Sequence, residues 1–145
     1  MTDSREVRIT HVFDAKPEQV FDAWTDPDQI ARWWAPDGFE IPRDSVTIEP
    51  RVGGRFHLTM VAVSGAEQHP LRAEIVELSQ PGLIVLRSEP IPDAGIDATT
   101  TRVELEPDGD GTRMTITDGP YTDDVSPHAE AGWRGIIANL DRLLG

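Results

Sequence analysis

Histidine and serine are the residue types that would most readily supply chemistry here, and their spacing favours neither a metal site nor a hydrolytic triad. The four histidines are His11, His57, His69 and His128. They form no HExxH or HxH pattern, the spacings with which a helix or a strand presents two imidazoles to zinc. Ser64 lacks the glycine two positions before it that a nucleophile elbow needs. The sequence therefore predicts no metal site and no catalytic serine.

The other candidates for acid–base or covalent chemistry have simpler explanations. Lys16, the only lysine, lies in a polar turn, which disfavours Schiff-base chemistry. His11 is in phase with the apolar Ile9 and Phe13, so it can reach the interior, where we expect a hydrogen-bonded core histidine rather than a catalytic base. The strand carboxylates are assigned to solvated outer faces; they are Glu74, Glu77, Glu104 and Glu106. We assign no catalytic residue and no cofactor, which leaves the question of an enzyme open.

Large apolar side chains are more informative, because they can line a pocket. Trp33 and Trp34 are consecutive on a predicted helix, so their side chains point about 100° apart and one of them should border an opening. Thr99, Thr101 and Val103 share one face of a predicted strand, which suits a ligand with an apolar body and a polar head, although core packing explains such residues as well. The predicted cavity residues are Trp33, Trp34, Phe39, Phe56, Leu58, Met60, Thr101, Val103, Met114, Trp133 and Ile137.

Two glycine motifs are interpreted as turns. Gly53 and Gly54 precede a strand, whereas a phosphate-binding loop needs more glycines, a following helix and a Lys-Ser/Thr pair. The run Asp108–Gly111 begins like a calcium loop, but Gly119 occupies the place of the twelfth-position glutamate. We therefore predict a sharp bend of the sheet at the first motif and a β-hairpin at the second.

A long C-terminal helix over Pro127–Gly145 is the element that must organise the others. Its apolar residues fall on one stripe at helical spacing; they are Ala129, Trp133, Ile136, Ile137, Leu140, Leu143 and Leu144. Such a helix runs roughly 27 Å and needs a broad apolar surface to lie on. A curved sheet is therefore expected to wrap around it, with a binding site in the space that remains.

Short strands and two small helices precede that helix. Val7–Phe13 alternates apolar and polar residues as a strand with one buried face does. Pro17 begins a first short helix, and Asp26 caps a second, with Gln29 placed to complete a capping box. A longer loop is predicted at Glu89–Asp97. Six further strands are predicted at about 43–49, 54–63, 70–78, 82–88, 98–106 and 112–118.

Composition indicates one domain over residues 1–145 and restricts its partners. The chain has 26 acidic and 13 basic residues, a net charge of −13, which repels phosphate backbones and anionic head groups and argues against nucleic-acid and membrane partners. It has no cysteine and therefore no disulfide, thiol nucleophile or thiolate metal ligand. It shows no signal-peptide pattern, and its longest apolar runs reach four residues, so we predict a cytoplasmic protein.

In this order of elements the chain resembles the bacterial family named after the activator of heat-shock-protein-90 ATPase, within the START-like (SRPBCC) helix-grip superfamily. The resemblance rests on Val12–Ala15 with Val20–Trp24, on Ile30–Pro36, on Arg51–Phe56, on Gly111–Thr117, and on His128 with Gly132 and Trp133. It implies an α+β helix-grip fold, in which a seven-stranded curved antiparallel sheet wraps around the long C-terminal helix and two short helices follow the first strand. The family name also implies a role in the stress response.

We therefore predict a protein that binds a small hydrophobic or amphipathic molecule, such as a lipid, between the sheet and the C-terminal helix, as a non-catalytic carrier or sensor. One alternative is a cavity enzyme of the polyketide cyclase, dehydratase or hydrolase kind, which needs an inward-facing ionisable side chain such as His11. The other is an interaction module that stimulates a chaperone ATPase, which needs a contiguous exposed apolar patch. A homodimer is compatible with the sequence.

Overall fold

The C-terminal helix lies against one antiparallel sheet, and two small helices follow the first strand. A computed structural model describes residues 5–35, 38–65, 67–90 and 98–144. The helices are α1 (Pro17–Thr25), α2 (Pro27–Trp33) and α3 (Ser126–Leu144). The strands are β1 (Arg5–Phe13), β2 (Phe39–Glu40), β3 (Thr47–Ile48), β4 (Arg55–Ala62), β5 (Gln68–Ser79), β6 (Leu83–Ser88), β7 (Thr99–Asp108) and β8 (Gly111–Tyr121). The predicted α+β class and element order are confirmed.

The sheet runs in the order β1-β8-β7-β6-β5-β4-β2, with β3 also paired to β4, and every pairing is antiparallel. Consecutive strands from β4 to β8 are neighbours because short turns join most of them. The first strand then closes onto the last one through the pairing of β1 with β8. The seven predicted strands are therefore present, and β2 is an additional two-residue strand on β4.

The predicted strand over residues 43–49 is wrong in its first half. Arg43–Ser45 forms a 3₁₀ turn, and only Thr47–Ile48 pairs with β4. The Ser45 hydroxyl donates to the Pro42 carbonyl at 2.7 Å and accepts the Thr59 N–H at 3.2 Å. These side-chain bonds satisfy backbone groups that a strand ladder would otherwise pair.

The inner stripe of α3 packs as the helical spacing predicted. Trp133, Ile136, Ile137 and Leu140 are buried, and α3 contacts β1, α1 and α2. Asn139 joins α3 to the end of α2, since its side-chain amide donates to the Ala35 carbonyl at 2.7 Å. The position of α2 therefore depends on α3 as well as on its own sequence.

The two small helices have different N-terminal caps. The Asp26 carboxylate accepts the Asp28 N–H at 2.9 Å, as its assignment as N-cap predicted. Gln29 does not complete a capping box there, because its amide donates to the Asp26 carboxylate at 3.3 Å while the Asp26 N–H goes to Asp22. At α1 the Lys16 N–H bonds the Gln19 side chain at 2.9 Å, which gives a definite start despite the poor capping residue.

Both glycine motifs form turns. A Cβ on Gly54 would lie 2.1 Å from the Glu49 carbonyl oxygen, so the close approach of the two backbone segments requires glycine at this position. Asp108 pairs with Gly111 across a tight hairpin, in which Gly109 has a φ of +60°.

Residues 36, 37, 91–97 and 145 lie outside the described ranges, and so do the corresponding parts of the predicted helix stop, the Glu89–Asp97 loop and the helix end. None of the helices in the described ranges is long and apolar enough to span a membrane.

Candidate functional site

A cavity of about 160 Å³ lies between the sheet and α3. Its walls come from the end of α2, from β5 to β8 and from α3. Its lining residues are Trp34, Leu71, Leu86, Ser88, Glu89, Thr99, Thr101, Asp118, Tyr121 and Trp133. The cavity is therefore apolar where the tryptophans and leucines meet and polar where the hydroxyl and carboxylate groups meet.

Strand alternation carries a carboxylate into this interior. Met114 and Ile116 of β8 are fully buried, and Asp118, two residues further on the same face, is 3% exposed. In the β7–β8 register Asp118 is directly opposite Thr101, which is itself buried. The local structure of the two strands therefore places a carboxylate beside a hydroxyl inside the domain.

Three donors from three elements bind the Asp118 carboxylate. The Thr101 hydroxyl donates to Oδ1 at 2.8 Å. Both other donors reach Oδ2: the Tyr121 hydroxyl at 2.5 Å and the Trp133 indole N–H at 2.7 Å. Asp118 thus connects β7, the end of β8 and α3 at the polar side of the cavity.

All three donors are neutral, and among the described residues no arginine, lysine or histidine lies within ion-pair distance of Asp118. Transferring a carboxylate out of water without a cationic partner costs several kcal/mol, and the three hydrogen bonds counter this cost. Burial raises the pKa of Tyr121, and the adjacent Asp118 charge raises it further. The phenol therefore stays protonated at neutral pH and keeps its proton available to the carboxylate.

The carboxylate keeps capacity for one more donor. An ionised carboxylate has about four acceptor sites, and among the described residues Oδ1 accepts one bond and Oδ2 accepts two. Because Asp118 lines the cavity, a hydroxyl or an amine of a bound molecule can use the remaining site on Oδ1. The arrangement can thus orient a polar head group without any covalent step.

Aromatic rings form the apolar wall. The Trp34 ring lies 5.4 Å from Trp133, 5.5 Å from Trp24 and 5.5 Å from Phe56, measured between ring centroids. The Trp33 ring lies 5.3 Å from that of Trp34, is fully buried, and donates its indole N–H to the Ala23 carbonyl at 2.9 Å. This close packing fixes the aromatic wall before a ligand binds.

The structure separates the predicted cavity residues into three groups. Trp34, Thr101 and Trp133 lie together on the cavity wall. Phe39 lies in a surface groove of about 710 Å³ between α2, β2 and α3, and Met60 is half-buried against the core. The remaining six are packed in the core outside the cavity lining; they are Trp33, Phe56, Leu58, Val103, Met114 and Ile137.

Sequence reasoning missed the three ionisable residues of the cavity lining, Asp118, Tyr121 and Glu89. The signal for Asp118 was present, because it continues the alternation of Met114 and Ile116 and so points inward if they do. Tyr121 had no comparable signal, since it faces the cavity just where the strand ends. Leu71 and Leu86 were also missed, and they carry no feature that distinguishes them from other core leucines.

The expectation of a core histidine at position 11 is wrong. The His11 side chain is 36% exposed, and its Nε2 lies 3.2 Å from an oxygen of Asp141 on α3. An edge strand next to a helix allows this exposure, although the His11 ring also contacts Phe13 at 4.6 Å. His11 is therefore not a residue of the cavity, and it cannot be the inward-facing base that the enzyme alternative invoked.

Two further features of the described residues are relevant to the alternatives. No three of their His, Asp or Glu side chains converge on a position that could hold a metal ion. The large hydrophobic side chains that stand exposed among them are Val12, Val52 and Val63, which lie on β1, in the turn before β4 and in the β4–β5 turn. These valines are too far apart in the sheet to form the contiguous patch that an interaction module would present.

Comparison with known proteins gives a consistent result. The family model described as activator of Hsp90 ATPase homolog 1-like protein matches residues 14–145. Protein CV1439 from Chromobacterium violaceum is 26% identical, with a TM-score of 0.86 over 96% of both chains. An AHSA1-like protein from Aeromonas hydrophila is 24% identical, with a TM-score of 0.81 over 95% of this chain and 90% of its own. The AHSA1 protein from Silicibacter pomeroyi is 21% identical, with a TM-score of 0.80 over 97% of both chains. No curated protein matches this chain.

Proposed function

The chain belongs to the family of activator of Hsp90 ATPase homolog 1-like proteins, and from this membership and the geometry of the cavity we propose that it binds a small amphipathic molecule without chemical change. The apolar part of that molecule lies against Trp34, Leu71 and Leu86. Its polar head carries a hydrogen-bond donor and faces Asp118. The protein then acts as a carrier or a sensor of that molecule.

The observation that carries this proposal is the buried Asp118 carboxylate. A neutral side chain of similar shape would spare the fold the cost of burying a charge. The charge is instead held by three donors at a cavity wall with acceptor capacity remaining on Oδ1. A ligand donor at Oδ1 would gain a charge-assisted hydrogen bond.

The volume supports a small ligand. Pockets that enclose drug-sized molecules are about 300–1,000 Å³, whereas an apolar cavity of about 150 Å³ can hold benzene. The volume of about 160 Å³ here therefore favours a single ring or a short branched chain with one polar group. It argues against enclosure of a long-chain lipid in this cavity.

The proposal is tested with phenol, benzene and benzoate as probes of the cavity. Phenol combines a ring with a donor, benzene lacks the donor, and benzoate places a negative charge next to Asp118. We expect saturable binding of phenol in heteronuclear NMR titrations, with shifts at the Trp133 indole N–H, weaker binding of benzene and none of benzoate. Native mass spectrometry of the freshly purified protein then shows whether the protein retains a bound molecule of similar size.

The matched variants are Leu71→Phe and Leu78→Phe, two half-buried positions on the same strand β5. Leu71 lines the cavity and Leu78 does not, so only Leu71→Phe should weaken phenol binding. The proposal fails if none of the three probes saturates, or if both variants leave phenol binding equally unchanged.

An enzyme of the cyclase, dehydratase or hydrolase kind is the second candidate, and the pairing of Asp118 with Tyr121 favours it. Two ionisable groups share a hydrogen bond of 2.5 Å at the cavity wall, an arrangement typical of acid–base sites. Incubation with small esters and β-hydroxy carbonyl compounds, followed by mass spectrometry, should show turnover that Asp118→Asn abolishes. Turnover that persists in Asp118→Asn would remove this candidate.

A further inference from the structure

A second pocket, of about 350 Å³, lies on the face of the sheet that points away from the buried core. Its lining includes Arg55 and His57 of β4, which alternate with the buried Phe56 and Leu58. Outward side chains of β5 and β6 continue the same surface. This pocket, the outer groove, shares Ser88 and Glu89 with the lining of the cavity, but its basic side chains do not line the cavity.

The strand register gathers basic side chains into the outer groove. Arg55 is opposite Glu74, and Glu74 is in turn opposite Arg87. One row further along, His57 is opposite Arg72. Directly opposite residues have Cβ atoms about 4.5–5.5 Å apart, so three guanidinium groups and an imidazole border one concave surface.

The charge of the outer groove is opposite in sign to that of the chain. The whole chain has twice as many acidic as basic residues, yet three arginines line this groove together with two glutamates, Glu74 and Glu89. Among the described residues, Arg72 and Arg87 have no carboxylate within ion-pair distance. Two cations are thus available to a ligand in the groove.

The pKa of His57 is a second indication of positive charge in the outer groove. Its pKa is lowered first by burial and then by the charges of Arg72 and Arg55, against the smaller raising effect of Glu89 and Glu49. The arginines therefore outweigh the glutamates at the position of the imidazole.

The shape of the outer groove comes from the backbone. The Gly53–Gly54 turn forms part of its lining, and the register of β5 shifts between Ile75 and Glu77, which indicates a bulge there. The Gly53 N–H is already bonded to Ile75 at 2.7 Å and the Gly54 N–H to Arg51 at 2.9 Å. A ligand in the groove would therefore be held by side chains and not by a backbone nest.

We propose that the outer groove binds a small phosphorylated molecule through Arg72 and Arg87, beside Arg55, whose guanidinium lies 3.6 Å from the Glu49 carboxylate. Guanidinium groups match phosphate oxygens with two parallel hydrogen bonds each, and the volume lies within the range of small-molecule sites. The net charge of −13 repels long polyanions such as nucleic acids, so the ligand is a metabolite and not a nucleic acid. The proposal does not rest on the ligand proposed for the cavity, because none of the three arginines lines that cavity.

The test uses pyrophosphate as the probe and the His57 ring as the reporter in NMR titrations of the full chain. The ring signal is assigned by its loss in His57→Gln. We expect a saturable shift and a rise in the pKa of His57, because a bound anion stabilises the imidazolium. The double variant Arg72→Gln/Arg87→Gln should raise the dissociation constant about tenfold or more, since each lost charged hydrogen bond contributes to binding.

Arg8→Gln is the matched control, because Arg8 is an exposed outer residue of β1 and has no ion-pair partner among the described residues. It should leave pyrophosphate binding within about twofold of the unmodified chain, as a distant charge is largely screened. The proposal is overturned if Arg8→Gln weakens binding as much as the double variant does, or if the His57 signal never saturates. Binding of citrate as tightly as pyrophosphate would overturn the assignment to phosphate.

Discussion

Replacement of Asp118 by alanine and by asparagine should destabilise the protein to clearly different degrees. Both variants remove the buried charge, so the free energy recovered by not desolvating a carboxylate is the same in both and cancels from their difference. What differs is the number of acceptors left for Thr101, Tyr121 and Trp133. The comparison therefore isolates the hydrogen bonds at the polar end of the cavity.

The magnitude follows from those three donors. In Asp118→Asn the amide oxygen can still accept from Trp133 and Tyr121, and the amide nitrogen can donate to the Thr101 hydroxyl oxygen. In Asp118→Ala the two hydroxyls can turn to water in the cavity, but the rigid Trp133 indole N–H is left unpaired at about 1–3 kcal/mol. With about 1 kcal/mol for one further neutral bond, Asp118→Ala should be less stable than Asp118→Asn by roughly 2–4 kcal/mol.

Urea unfolding followed by tryptophan fluorescence measures this difference, since the chain contains four tryptophans. If the free energy of unfolding falls with urea concentration at the same slope in both variants, the change lies in stability and not in the denatured state. Thr101→Val is the control, because it is nearly isosteric and removes only the bond to Oδ1 while the Trp133 indole N–H stays paired. A difference below about 0.5 kcal/mol between the alanine and asparagine variants would refute the assigned hydrogen bonds, because even one orphaned buried donor exceeds it.

Three further predictions concern Tyr121, His57 and the glycines. The pKa of Tyr121, the only tyrosine, is raised in the folded state, so the folded chain binds the phenol proton more tightly than the unfolded chain does. Stability should therefore fall as pH rises above the unfolded pKa of about 10. Tyrosinate absorbance should appear only when the chain unfolds. The pKa of His57 is lowered, so its contribution to stability should be present above the unfolded pKa of about 6.5 and be lost as pH falls below that value through the lower folded pKa. His57→Gln should flatten the pH dependence of stability in urea over that window. Gly54→Ala should destabilise by more than about 2 kcal/mol, since its Cβ would meet a carbonyl oxygen at 2.1 Å. Gly135→Ala, on α3 with no atom near its Cβ, should instead stabilise by about 0.5–1 kcal/mol in thermal unfolding.

Each of these has a distinct contrary result. Tyrosinate absorbance in the folded protein near pH 10 would mean that Tyr121 is not held by burial and Asp118. A His57 titration at or above the ordinary value of about 6.5 would contradict the positive field in the outer groove. Equal effects of the two alanine substitutions would show that the close approach at Gly54 relaxes freely.

The order and type of the elements could be predicted from the sequence because each depends on local periodicity. The apolar stripe of α3 and the alternation of buried and exposed residues in β7 follow from residues that are close together in the sequence. Arg43–Ser45 was misassigned because the hydroxyl of Ser45 pairs with backbone groups, one of which lies 14 residues away in β4. His11 was placed too deep because alternation gives the face of a strand but not whether the strand is at the edge of its sheet.

The sequence by itself therefore determined the fold class, the negative field and the inward-facing strand residues, since these follow from composition and from periods of two and 3.6 residues. Only the tertiary structure decided how much of the interior stays open. The rings of Trp24, Trp34 and Trp133, which come from α1, from the residue after α2 and from α3, pack against one another, and the small cavity at Asp118 lies beside them. The cationic outer groove likewise exists only through the pairing of β4, β5 and β6, because its arginines are 15 to 32 positions apart in the chain and share no local pattern.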